Sequence, residues 1–265
     1  MKRLHDARVV LTGAAGGIGT EIAKELVRKQ CRVGLVGRNK VKLDELAEEL
    51  KALGGDVLVI PADITHQSAR KSIVDAMINR YQGIDVLINN AALMSFKEFE
   101  HQDDADIEAL FTTNLISPIL LTKELLPALK KSPKAHIINM GSTFGSIAFA
   151  CYSTYSASKF GIRGFSESLR RELEGTSVMV SYFAPRAVKT TLNSSKVYEM
   201  ARKIKMNMDE PEWIAKKVVH AIVKNKKEAY FGFPESIFVR INSILPRLVD
   251  KALSGQTRIM KQYCD

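Results

Sequence analysis

The segment Arg8 to Gly19, reading Arg-Val-Val-Leu-Thr-Gly-Ala-Ala-Gly-Gly-Ile-Gly, constrains this chain more than any other. A short apolar strand runs into a glycine-rich turn, and an amphipathic helix follows at once. That order is what a phosphate cradle requires. Gly13 permits a tight turn, Gly17 lets the backbone approach a pyrophosphate, and Gly19 lets the helix pack closely on the strand, with the helix N-terminus facing the anion. The spacing is Gly-x-x-x-Gly-x-Gly rather than the commoner Gly-x-Gly-x-x-Gly. Strand, loop and helix together predict a dinucleotide site.

The same alternation continues along the chain. Predicted strands cover Cys31 to Val36, Val57 to Ile60, Ile84 to Ile88, His136 to Met140, Val178 to Phe183 and Ala229 to Gly232, each separated from the next by helical sequence. Strands alternating with helices predict an α/β fold: a single-domain, Rossmann-like, doubly wound parallel sheet of about seven strands, helices on both faces, and a ligand crevice at the strands' C-terminal ends. A chain of 265 residues suffices for one such domain. It is expected over 1–233, with an amphipathic helical extension over 234–265.

Several strand ends carry chemistry. The second ends at Gly37-Arg38-Asn39. An acidic residue there binds ribose hydroxyls, whereas an arginine accommodates a 2′-phosphate, so Arg38 points to NADP(H); the competing reading is a solvent-facing arginine in a turn. Asp63 follows the third strand, where a carboxylate could cap a helix beginning near Gln67. The fourth strand ends in Asn89-Asn90-Ala91-Ala92. In a long helical region from about Asp106 to Lys131, Asn114 sits among Phe111, Leu115, Ile119 and Leu120 and needs a hydrogen-bond partner if buried.

Ser142 follows the fifth strand, where a hydroxyl can meet a substrate oxygen. Tyr155 and Lys159 are one helical turn apart and leave the same face. A phenol with an ordinary pKa near ~10 is a poor acid/base group at neutral pH, but a fixed cation alongside favours the phenolate and is expected to lower that value. Tyr155 then becomes a proton donor and acceptor.

Read together, these segments resemble the short-chain dehydrogenase/reductase family over roughly 8–233. The resemblance implies an oxidoreductase that interconverts a carbonyl and an alcohol by hydride transfer with a nicotinamide cofactor, on a small-molecule substrate drawn from steroids and retinoids, lipid carbonyls, sugars or small ketones. Arg38 makes that cofactor NADP(H), and the amphipathic extension over 234–265 suits a lipophilic substrate. It implies Asn114, Ser142, Tyr155 and Lys159 as catalytic residues. Asn114 would link the lysine to a water chain, the alternative being an asparagine that only kinks its helix. Cofactor contacts would come from Gly13, Ala15, Gly17, Ile18, Gly19, Arg38, Asp63, Asn90, Tyr155, Lys159, Val188 and Thr190, with Asp63 meeting the adenine rather than capping a helix. Two positions depart from the family pattern: Ala92 stands where glycine is usual, and Pro185-Arg186 replaces Pro-Gly. Arg186 either attracts an anionic substrate group or points into solvent. Leu192 to Met208 reads as a substrate lid. A nicotinamide-binding sensor or scaffold without catalysis is the competing class, and the presence of Ser142, Tyr155 and Lys159 argues against it. A homo-oligomer of two or four copies is expected.

A formal charge of +10 suits an anionic partner such as a phosphorylated cofactor or an acidic lipid surface. No nucleic-acid module is present, nor are aromatics interleaved with a basic stripe, so nucleic acid is not an expected partner. Cys31, Cys151 and Cys264 are widely separated, show no metal spacing and cannot all pair within the chain, so a reducing compartment, the cytoplasm, is expected. No stretch approaches the ~18 apolar residues of a membrane span, and the N-terminal residues lack an apolar signal region.

The tail places Ile237, Ile241, Ile244, Leu245, Leu248 and Ala252 at helical spacing, with Arg240, Arg247 and Lys251 on another face and Pro246 bending or restarting the helix. This stripe either packs on the domain or a second subunit, or lies on an anionic membrane surface as a peripheral contact.

Overall fold

A computed structural model of the chain describes residues 4–264. Seven parallel strands form one sheet in the order β3-β2-β1-β4-β5-β6-β7, where β1 is Arg8–Thr12, β2 Arg32–Gly37, β3 Asp56–Pro61, β4 Val86–Asn89, β5 Ala135–Met140, β6 Val178–Pro185 and β7 Glu228–Phe231. Strand order reverses between β1 and β4, which opens a crevice at their C-terminal ends.

Both faces of the sheet are covered, so successive residues of one strand enter different cores. Val9 and Leu11 join Ile22 and Leu26 of α1 (Gly17–Arg28), Leu43 of α2 (Lys40–Ala52), and Ile214 and Val218 of the helix Pro211–Val223 on one face. Val10 joins the other face, with Ile73 and Met77 of α3 (Gln67–Tyr81) and a helical layer drawn from the middle of the chain. That layer comprises α5 (Ser117–Lys130) and α6 (Ser153–Glu172); α4 (Asp104–Phe111) precedes them and buries Leu110 in a separate cluster with Tyr155. α7 (Ser195–Lys203) precedes α8, the Pro211–Val223 helix, and two short helices follow the last strand, α9 (Glu235–Ile244) and α10 (Pro246–Met260).

The expected long helix from Asp106 to Lys131 is interrupted. A π-turn over Thr112–Ile116 joins α4 to α5 and carries the buried Asn114.

The tail also differs from a single stripe. Pro246 occupies the first turn of α10, after Leu245 leaves the helical region, so the helix restarts with a changed rotation. Val239 and Val249 are buried against Ile147, Met260 is buried in the cluster that holds Tyr152 and Tyr155, and Ile241 is partly buried. Ile237, Ile244, Leu245 and Leu248 remain 49%, 77%, 56% and 57% exposed.

Cys151 and Cys264 form a disulfide across 113 residues, and Cys31 is free and buried. The fold returns the end of the chain to the loop before α6, so separation in sequence carried no information about this pairing. Among the described residues no helix is long and apolar enough to cross a membrane.

Candidate active site

The crevice begins with main chain. Gly13 adopts φ +63°, and a Cβ there would lie 2.8 Å from Ala91 Cα, so only glycine satisfies both the conformation and the contact. A Cβ at Gly17 would lie 2.7 Å from Thr190 Cγ2, which brings the glycine loop against the segment after β6. α1 starts at Gly17, so the N–H groups of Gly17, Ile18 and buried Gly19 belong to the first helical turn, which has no intrahelical acceptors and carries the positive end of the helix dipole. Ala15 packs partly buried against the core beneath this loop. Asn90 Nδ2 donates to the carbonyls of Thr12 and Gly13 at 3.1 and 3.2 Å, tying the loop after β4 to the loop after β1. Ala92 is not among the residues with positive φ, so the departure from glycine there introduces no left-handed strain.

At the outer end, Arg38 and Asp63 line a cavity of about 140 Å³ together with Gly13 and Ala91. Arg38 is exposed at its rim. Asn39 Oδ1 accepts from Lys42 N–H at 3.1 Å and caps α2, so no carboxylate closes the end of β2. Asp63 Oδ1 accepts from the N–H and hydroxyl of Thr65 at 3.0 and 2.8 Å. The carboxylate therefore closes a turn before α3 rather than capping it, since His66 holds the cap position. Burial pushes Asp63 up, but the Thr65 hydrogen bonds and the charge of Arg38 outweigh it and hold the carboxyl below its ordinary range. A glycine cradle at one end and the cavity lined by Arg38 and Asp63 at the other leave room for a dinucleotide.

At the inner end, α6 presents Tyr155 in its first turn and Lys159 one turn later, both buried. Lys159 Nζ donates to Met140 O at 3.1 Å and lies 5.7 Å from the centre of the Tyr155 ring. Ser142 follows β5; its hydroxyl accepts from Phe144 N–H at 3.1 Å, and the residue lines the same cavity as Tyr155. Tyr182 Oη donates to Ser142 O at 3.0 Å and fixes that loop. These three residues share a cavity of about 120 Å³ with Ile18, Asn90, Val188 and Thr190. Asn114 stands behind them: its Oδ1 accepts from Leu93 N–H at 2.7 Å, and its Nδ2 donates to Leu93 O and Ser158 Oγ at 2.8 and 3.1 Å. Its partners are thus the β4 loop and α6, not Lys159 itself.

The electrostatics correct one expectation. Burial pushes the Tyr155 phenol up to about 12, against the weaker downward pull of the neighbouring Ser142 side chain. Lys159 is itself lowered to about 8 by burial. The protein alone therefore does not depress the phenol, because desolvation of the phenolate outweighs a cation whose ammonium is directed at a carbonyl.

Arg186 corrects another. It neither faces solvent nor offers a free cation: Nε and Nη2 donate to both oxygens of Asp209 at 3.0 and 2.8 Å, and Nη1 donates to Glu235 at 2.9 Å. The expected lid segment folds as α7, with Val197 and Met200 buried in the cluster that holds Tyr152 and Tyr155, and with Ala201 buried as well. Tyr152, Phe144, Met94 and Met206 also line the inner cavity and were not singled out by the sequence. Tyr152 was within reach, since it sits three residues before Tyr155 and packs with it edge-on at 6.3 Å.

A family model described as short chain dehydrogenase matches residues 7–201. The ketoacyl reductase HetN of Nostoc sp. is 35% identical over 226 residues, covering 85% of this chain and 78% of that protein. The NADP-dependent 3-hydroxy acid dehydrogenase YdfG of Salmonella typhi is 36% identical over 188 residues, 71% of this chain and 75% of the other. A solved short-chain dehydrogenase/reductase from Burkholderia phymatum in complex with NAD superposes with a TM-score of 0.85 at 19% identity, covering 94% of this chain and 97% of that one; at that identity the likeness shows the fold.

Proposed function

The chain belongs to the short-chain dehydrogenase family, and on that premise we propose that it is an NADP(H)-dependent oxidoreductase interconverting a carbonyl and an alcohol, acting on a lipophilic substrate. The observation that carries this reading is the convergence of Ser142, Tyr155 and Lys159 on one cavity at the inner end of the crevice.

A bound nicotinamide would supply or accept the hydride. In the reductive direction the Ser142 hydroxyl holds the substrate oxygen, and Tyr155 Oη donates its proton to that oxygen as negative charge develops there. The high value of the phenol keeps it protonated and ready as an acid. The nearby Lys159 cation stabilises the phenolate left behind. Asn114 holds the Leu93 loop and α6 in register, which keeps Tyr155 and Lys159 aligned. Oxidation of an alcohol runs the same proton transfer backwards.

Arg38 supports NADP(H) over NAD(H), because an exposed guanidinium stands where a ribose-binding carboxylate would otherwise be. The relative from Salmonella typhi is NADP-dependent by its name. Purified protein mixed with NADPH or NADH and a panel of aldehydes and ketones tests the reading by loss of reduced cofactor. NADPH is expected to be consumed in preference; binding of neither cofactor would end the proposal.

Exposed Ile244, Leu245 and Leu248 beside Arg240, Arg247 and Lys251 support peripheral contact with an anionic membrane, from which a lipophilic substrate would be drawn. Sedimentation with acidic liposomes, comparing the full chain with one truncated after Pro234, is expected to show binding only for the full chain at low salt. Equal behaviour of the two leaves the face to a second copy of the chain, which analytical ultracentrifugation detects.

A further inference from the structure

Beside the catalytic cavity lies a larger one, of about 430 Å³ against about 120 Å³. It is enclosed by the loop after Ser142, the chain that follows α7, and the facing sides of α9 and α10, with Ile147, Phe149, Phe238, Ile241, Val249 and Leu253 on its walls. Phe144, Arg186, Ala187 and Met206 line both cavities. The inner one is below the roughly 300–1,000 Å³ of a small-molecule site, and the larger one falls within that range. Phe238 and Leu248 line the larger space and are still 44% and 57% exposed, so its rim reaches solvent between α9 and α10.

The enclosure depends on Arg186. Its forked bond to Asp209 holds the end of the lid segment, and its bonds to Glu235 and to Phe233 O, at 2.9 and 3.0 Å, hold the start of α9. Asn207 Nδ2 donates to the other oxygen of Glu235 at 3.2 Å and completes the link. The stem of Arg186 lies over Gly232, just beyond β7, where a Cβ would stand 2.5 Å from Arg186 Cδ and where φ is +114°. Because the guanidinium is matched by two carboxylates, it has no charge left over for an anionic substrate.

We propose that the larger chamber receives an uncharged, extended apolar chain whose carbonyl reaches Ser142 and Tyr155, and that Arg186 is the positioning residue that joins lid and α9 to form it. The proposal rests on the oxidoreductase reading and narrows its substrate to carbonyl compounds with long alkyl chains.

The test uses the full chain, NADPH and straight-chain aldehydes from butanal to dodecanal. In the wild type, kcat/KM is expected to rise by up to about fourfold per added methylene, through a falling KM. Ala252→Trp, whose indole would fill the chamber from α10, flattens the series. Arg186→Gly flattens it as well, and Arg186→Lys, which keeps the charge without the fork, restores part of the slope. A change confined to KM for long chains distinguishes positioning from general loss of structure, with thermal unfolding as the check on folding. Binding of the neutral fluorophore phenylnaphthylamine is expected to weaken about tenfold or more in Ala252→Trp. Turnover of short aldehydes with a flat series in the wild type overturns the chamber and leaves the oxidoreductase reading standing. No turnover of any aldehyde, with fluorophore binding lost in Ala252→Trp, defeats the oxidoreductase reading and supports the chamber. A slope preserved in both Arg186 variants removes Arg186 from it.

Discussion

At the cofactor end of the crevice the walls are mostly main chain: the turn at Gly13, the first turn of α1, and the Thr12 and Gly13 carbonyls held by Asn90. At the end where we place the substrate they are side chains, brought from the loop after β5, the chain after α7, and two helices beyond the last strand. The two ends meet at Tyr155. A wall of backbone admits few residue types, because a Cβ in the wrong place collides. A wall of side chains admits many, provided that something distant holds its pieces together. Chemistry is therefore written locally in this chain and specificity is not.

The sharpest way to separate the two ends is to remove one oxygen where they join. Tyr155→Phe is expected to lower turnover by about 10²–10⁴-fold while leaving cofactor affinity and thermal unfolding nearly unchanged, because the ring still fills its place among Phe144 and Tyr152. Equilibrium binding and steady-state rates on the same preparation check both halves. A smaller effect is expected at the cofactor end alone. Arg38→Asp should weaken NADPH binding by about ten- to a hundredfold, the loss of charge-assisted hydrogen bonds, and narrow or reverse the preference over NADH. An unaltered ratio of the two affinities would detach Arg38 from the cofactor.

The smallest effect concerns pH. Lys159 is lowered to about 8, so its cation is present below that value and lost above it. Carbonyl reduction is expected to be level at lower pH and to have halved near pH 8, whereas Tyr155, raised to about 12, stays protonated throughout. Lys159→Arg, whose charge persists, should move the limb upward. A profile with no limb between pH 7 and 9 would mean that the lysine charge does not support the phenolate.

How much of this was legible follows the same division. The order of strands and helices, the glycine loop and the Tyr155–Lys159 pair depend on residues a few positions apart, and periodicity exposes them. Arg186 was visible as a departure, but its partners lie 23 and 49 residues away, so its role as a tie between lid and α9 needed the fold. The Cys151–Cys264 bond, at a separation of 113, was out of reach for the same reason. The direction of the Tyr155 shift failed differently. A neighbouring cation can be read from spacing, but the depth of burial that opposes it cannot, and here burial is the larger influence. The restart of the tail helix at Pro246 was legible as a proline effect, but which residues of the stripe it leaves exposed depends on the packing of α9 and α10 on the domain.

Hydride transfer is the claim on which the rest depends. Protein incubated with NADPH carrying deuterium at both C4 positions of the nicotinamide ring and a long-chain aldehyde should yield alcohol bearing one deuterium by mass spectrometry, and the yield should collapse in Tyr155→Phe. Cofactor bound in the crevice with no labelled alcohol formed from any carbonyl compound would contradict the account, and would leave a nicotinamide-binding sensor or scaffold in its place.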